Sequence, residues 1–190
     1  MSKIITTFEK FTITNNLVKL QKPFDNIDVI NINGKNIYVL FGDVDYYENK
    51  ESILAIKGKS DNLILNEQSY NKFLDEFKIR FNSIKELKDS DLLVSIETTS
   101  NINTDLVNTI NKTYIEDGFK KKDSSFKMKD IDKENRSNLK DIFDINFKTD
   151  EENICIIDDF ITTGTTFKNA FSLLPENINS CGVCLFKLIS

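Results

Sequence analysis

Residues 154–166 read ICIIDDFITTGTT, and the fold turns on this stretch. Ile154–Ile157 are four apolar residues in a row, as expected of a strand buried on both faces of a parallel sheet. The strand is predicted over Asn153–Ile157, which puts Asp158 and Asp159 where it ends. A compact polar run follows, Thr162, Thr163, Gly164, Thr165 and Thr166, and it opens a helix predicted to continue to Leu174 and stop at Pro175. Open α/β sheets bind ligands beyond the carboxyl ends of their strands. Backbone N–H groups at a helix start attract phosphate, threonine hydroxyls add donors, and a glycine lets the backbone approach an anion closely. The loop therefore offers phosphate donors beside two carboxylates. A ligand that fits carries a phosphate one sugar-length from vicinal hydroxyls.

Working outward, Val183–Ile189 reads as a last strand, and Asp91–Ile96 as another short buried one. From Asn66 to Leu87 the pattern is helical: Tyr70, Phe73, Leu74, Phe77, Phe81 and Ile84 recur at steps of three and four and mark a core-facing stripe. Leu106, Val107 and Ile110 place a second helix over Thr104–Tyr114, and residues 118–141 read as an irregular, charged connection. Near the N-terminus, Asn33-Gly34 between two β-branched runs predicts a hairpin with a type I′ turn. The sum is an α/β chain: an open, mostly parallel sheet flanked by helices, with a small β-rich N-terminal addition. The expected division is 1–50 for that addition and 51–190 for the remainder.

The 154–166 stretch resembles the signature of type I phosphoribosyltransferases: four apolar residues, two acidic, two apolar, then a Thr/Ser–Gly–Thr loop. Phe160 departs from it, being bulkier than the usual aliphatic residue. Weaker likeness to the ComF-like branch runs through SILAIKGKSDN, DLLVSIETTSNINTDLV and KENRSNLKDIF, together covering roughly residues 52–190. The cysteine cluster that often precedes that branch is absent. The resemblance implies binding of phosphoribosyl pyrophosphate (PRPP) and transfer of 5-phosphoribose to a nitrogenous base or related acceptor, with release of pyrophosphate. Asp158 and Asp159 would contact the ribose hydroxyls, directly or through magnesium. Thr162, Thr163, Gly164, Thr165 and Thr166 would cradle the 5′-phosphate. Thr98, Thr99 and Ser100 would meet the pyrophosphate, next to an awkward Glu97, and Arg136 would close over it with a guanidinium suited to phosphate. The hood that supplies the acceptor pocket is assigned to the N-terminal hairpin by elimination, and many relatives dimerise. A noncatalytic PRPP or nucleotide sensor, or a ComF-like assembly or DNA-uptake factor, is the alternative expectation.

Composition narrows the field further. The 190 residues contain no histidine, which removes Ser–His–Asp and Cys–His catalysis and His-ligated metals. Magnesium, which prefers oxygen ligands, is not removed. A net charge of −5 disfavours nonspecific nucleic-acid binding. No apolar run approaches about 18 residues, so no membrane span is expected, and a cytoplasmic protein is. Arg80 and Arg136 are the two arginines in a lysine-rich chain, so each invites inspection. Cys181 and Cys184 have redox or zinc spacing, but alternate residues of a strand point to opposite faces, so both are read as core.

Overall fold

A computed structural model of the chain describes residues 3–4, 27–57, 59, 63–64, 67–98, 102–123, 139 and 141–189. In chain order the elements are β1 (Lys3–Ile4), β2 (Asp28–Ile32), β3 (Lys35–Val39), β4 (Asp43–Asp45), α1 (Tyr46–Ile56), β5 (Leu63–Ile64), α2 (Glu67–Ser83), α3 (Lys85–Lys88), β6 (Leu92–Ile96), α4 (Ile102–Ile110), β7 (Thr113–Lys121), β8 (Phe143–Ile145), β9 (Asn153–Ile161), α5 (Thr165–Leu173) and β10 (Asn179–Ile189). One 8-stranded sheet runs β2-β3-β10-β9-β6-β7-β8, with β4 also paired to β10 beyond the end of β3. Every neighbouring pair from β3 across to β7 is parallel, whereas β2–β3 and β7–β8 are antiparallel edges. The α/β class with an open, mostly parallel sheet is thus the observed one.

Both faces of the sheet are covered. On one face α1, α2 and α4 bring Ile53, Phe77, Phe81, Leu106 and Val107 against Leu93, Cys155, Ile157, Cys181 and Val183. On the other, Phe167 and Ala170 of α5 pack on Ile37, Val94, Ile154, Ile156 and Cys184. The predicted aromatic stripe of α2 is core, as its spacing requires. Cys181 and Cys184 fall into opposite faces, and both are buried free thiols.

The Asn33-Gly34 turn has φ of 53° and 81°, the two positive values that a type I′ turn demands. Its hairpin is bonded into the main sheet, because β3 pairs with β10 from Ile37↔Gly182 to Val39↔Cys184. The boundary expected near residue 50 therefore falls within one shared sheet: β2, β3 and β4 precede it and belong to the same layer as β6–β10. Most of the expected β-rich first 26 residues lie outside the described ones. Arg80 is a core residue, 6% exposed. Its guanidinium donates to the Leu40 carbonyl and to Glu76 and lies over the Phe41 ring, so it satisfies backbone at the break between β3 and β4.

Two boundaries moved between β6 and β8. The helix expected to reach Tyr114 stops at Ile110, because Asn111 turns left-handed at φ 51° and ends it. Beyond it, β7 occupies the start of the stretch read as irregular. Its alternation is broken by a bulge: Asp117 has φ 49°, and the register against β6 shifts between Val94 and Ile96. Gly118 sits at that bulge with no room to spare, since a Cβ there would lie 2.2 Å from Val94 Cγ1 and 3.0 Å from Phe147 Cδ1. Gly118→Ala is expected to cost about 1–3 kcal/mol of stability through overpacking, measured as a lowered urea midpoint.

Candidate functional site

The chain divides its direction between two neighbouring strands. β6 leads through α4 to β7 on one side, and β9 leads through α5 to β10 on the other, while β6 and β9 lie side by side from Leu92↔Ile154 to Ser95↔Ile157. Connections that depart in opposite directions leave a crevice beyond the carboxyl ends of the two strands, where α/β sheets take their ligands. The loops that border it begin at Glu97, after β6, and at Thr162, after β9.

β9 is longer than expected. It runs to Ile161 because β10 pairs alongside it as far as Lys187↔Ile161. Asp158 and Asp159 therefore stand inside the strand's last turns of pleat, not past its end. The short loop then brings Gly164 to φ 76° as the N-cap of α5. No side chain among the described residues caps that helix start, and its first turn holds no acidic residue, which leaves its N–H groups and positive dipole end to an anion. Thr163 and Thr165 share a hydroxyl–hydroxyl hydrogen bond of 2.9 Å across the glycine. Thr162 and Thr166 are half-buried, while Thr163 is exposed. The space a Gly164 Cβ would fill is taken by Ile32 Cδ1, 2.3 Å away, so the hairpin tip rests on Gly164. The missing Cβ thus serves the left-handed backbone and this packing as well as any anion.

Asp159 is 5% exposed, and its Oδ2 lies 2.7 Å from Nζ of Lys57. The contact is an ion pair outside hydrogen-bond geometry. The same ammonium stands over the Phe160 ring, 4.6 Å from its centroid. Asp158 is half-buried, and its Oδ1 accepts the Asp159 N–H at 2.8 Å. Burial pushes the Asp158 carboxyl well above its usual range, the negative charge of Asp159 adds to this, and Lys57 opposes it. Lys57 was not singled out as a site residue. Its signal was the position in SILAIKGKSDN at the end of a helix, but nothing local tied it to an aspartate so distant along the chain.

At the β6 loop, Glu97 is bonded to β7. Its carboxylate accepts the Lys121 N–H at 2.7 Å and extends the β6–β7 pairing. Asp117 accepts the N–H of Thr98, which pulls its carboxyl down against burial, the larger influence, so that it is raised overall. Thr99, Ser100 and Arg136 lie outside the described residues. The run Lys120–Lys122 is tied in part to β8 and the residues before it, since Lys122 pairs with Asp144 at 3.7 Å and with Asp141 at 2.6 Å.

Sequence reading also missed Asn103. It occupies the first turn of α4, 1% exposed, and neither its Oδ1 nor its Nδ2 has a partner among the described residues. Unpartnered buried amides are costly. Asn103→Leu, close in shape, is expected to raise stability by about 1–2 kcal/mol, read as a higher thermal midpoint; an unchanged or lower midpoint would mean that Asn103 is satisfied in solution.

A magnesium ion on Asp159 Oδ2 does not fit this arrangement. A divalent cation on Asp159 Oδ2 would meet the Lys57 ammonium already 2.7 Å from that oxygen. Among the described residues, no three His, Cys, Asp or Glu side chains gather to hold a metal.

No family model and no curated protein matches the chain. Among solved structures it is similar to orotate phosphoribosyltransferase from Aeropyrum pernix, at 17% identity and a TM-score of 0.41, over 64% of this chain and 59% of that one. The chain thus spans less than two thirds of that relative's length. Its class, fixed by its own sheet order and register, is an α/β protein with an open, mostly parallel sheet whose connections reverse direction at the β6–β9 switch point. No described helix is long and apolar enough to cross a membrane.

Proposed function

We propose that the chain binds the 5-phosphoribosyl group of PRPP in the β6–β9 crevice and transfers it to a nitrogenous acceptor, releasing pyrophosphate. One observation carries this reading: a carboxylate pair and an uncapped, glycine-opened helix start follow one another at the switch point. Backbone N–H groups and hydroxyls of Thr162–Thr166 hold the 5′-phosphate. Asp158 and Asp159 accept hydrogen bonds from the ribose hydroxyls and favour positive charge at the anomeric carbon. There the C–O bond to pyrophosphate breaks, the C–N bond to the acceptor forms, and the acceptor nitrogen gives up its proton. Thr98, Thr99, Ser100 and Arg136 hold the leaving pyrophosphate. Such catalysis is positioning and electrostatics, and a chain without histidine can supply both.

A second reading has its own support. Glu97 and Asp117 border the β6 loop, and two carboxylates beside a pyrophosphate site repel it. That favours a noncatalytic module that binds a phosphorylated ribose or a nucleotide. Calorimetric titration with PRPP and with ribose 5-phosphate tests both readings. Tighter binding of PRPP, with pyrophosphate release on adding bases, supports the transferase. Equal binding without release supports the sensor, and binding of neither ligand overturns both.

A further inference from the structure

The carboxylate pair already has a counter-cation, built from the chain itself. Lys57 is the C-cap of α1, an 11-residue helix whose negative dipole end favours a cation at that position. Its Nζ is held from two sides, by Asp159 Oδ2 at 2.7 Å and by the Phe160 ring at 4.6 Å. The ring is fixed in turn, stacked on Phe186 with centroids 5.5 Å apart. Phe160 is the position at which the loop departs from the aliphatic residue of the signature it resembles. The departure supplies the aromatic face on which the ammonium rests, and an aliphatic side chain has no such quadrupole.

We propose that Lys57 stands in place of a divalent metal at Asp158 and Asp159, so that the ribose end of the site works with a fixed ammonium. An ammonium is a compact point charge with three donors. It balances the charge of Asp159, whose side chain is buried, and it offers donors to a ribose hydroxyl without requiring a metal to bind first. The identity of the ligand rests on the phosphoribosyl reading, whereas the cation assignment rests on Lys57, Asp159 and Phe160 alone.

The test uses the full chain and Mn²⁺ alone, with the free ion followed by electron paramagnetic resonance. The wild-type protein is expected to show no Mn²⁺ binding that Asp159→Asn removes. Lys57→Gln is expected to gain about tenfold or more in Mn²⁺ affinity, and Asp159→Asn in the same chain is expected to cancel that gain. Phe160→Leu, which frees the ammonium from the ring, should give a smaller gain in the same direction. Asp159-dependent Mn²⁺ binding by the wild type would overturn the proposal, as would a folded Lys57→Gln protein with no gain. If that variant does not fold, comparison of the wild type with Asp159→Asn still decides. Ribose 5-phosphate is then titrated with and without EDTA. Binding that survives EDTA is expected, and binding lost in EDTA overturns the ammonium assignment. No binding in either condition overturns the phosphoribosyl reading instead and leaves the Mn²⁺ result to stand by itself.

Discussion

A chain carrying both Asp158→Asn and Asp159→Asn is expected to lose ribose 5-phosphate binding while remaining folded. A carboxylate accepts from two hydroxyls at once, whereas an amide offers one acceptor and turns a donor toward the other. One charge-assisted hydrogen bond at Asp159, about 1.5–3 kcal/mol, and one at Asp158, whose raised carboxyl contributes about 0.5–1.5 kcal/mol, correspond to an affinity loss of roughly thirtyfold or more. The fold has little reason to fail. Asparagine keeps the shape of aspartate, and its Oδ1 can still accept the residue 159 N–H that Asp158 accepts at 2.8 Å. Lys57 would lose its ion pair with Asp159, but its side chain is 23% exposed and can turn toward water.

Stability should move in the direction opposite to binding, and this separates a ligand site from a merely structural pair. Because the carboxyl of Asp158 is raised in the folded chain, its contribution to stability is fully present at pH below its unfolded value. That contribution is lost as pH rises through the folded value. Above that window the ionised Asp158 weakens the fold. Asp158→Asn removes the titration, so the variant should melt no lower than the wild type at neutral pH and lose part of the decline with rising pH. Calorimetric titration with ribose 5-phosphate and thermal melts across a pH series measure the two effects. Unchanged affinity in the double variant would sink the assigned role, and a Asp158→Asn chain melting well below wild type would make Asp158 a structural residue.

The sequence disclosed those parts of the molecule whose causes are local. Ile154–Ile157 announced a buried strand, the step of three and four from Tyr70 to Ile84 announced α2, and Asn33-Gly34 announced the hairpin, because each depends on residues within one or two turns. What stayed hidden depends on contacts between distant segments. The last four residues of β9 are strand only because β10 lies beside them. β7 hid its period of two behind the bulge at Asp117 and Gly118, which exists to fit Val94. At the site, the aspartates and the threonine–glycine loop were legible as a contiguous run. The partner of Asp159 was not, because Lys57 arrives from the end of α1 on another part of the chain. Phe160 was visible as a departure, but its reason required the ammonium above it. Asn103 gave no signal at all, since a polar residue near a helix start reads as exposed until the packing of α4 buries it.

Gly164→Ala should have a comparably large effect, and it has two separable causes. At φ 76° an alanine is strained, at a cost of order 1–3 kcal/mol. Independently, its Cβ would lie 2.3 Å from Ile32 Cδ1, closer than any real contact. The obstructing atom is the far end of a flexible side chain, so Ile32 can move, although only by loosening the hairpin tip from the phosphate loop. The cycle of Gly164→Ala, Ile32→Ala and the double variant divides the two. If packing dominates, Ile32→Ala restores most of the stability lost in Gly164→Ala. If the backbone dominates, the double variant stays destabilised by the strain alone. Ligand binding then distinguishes the glycine's structural use from its functional one. A loop that cradles phosphate with its N–H groups needs the left-handed turn that aims them, so ribose 5-phosphate affinity should fall in Gly164→Ala and stay low in the double variant, even where stability has returned. Affinity that recovers together with stability would mean that the loop binds through its hydroxyls and that Gly164 is there to make room for Ile32.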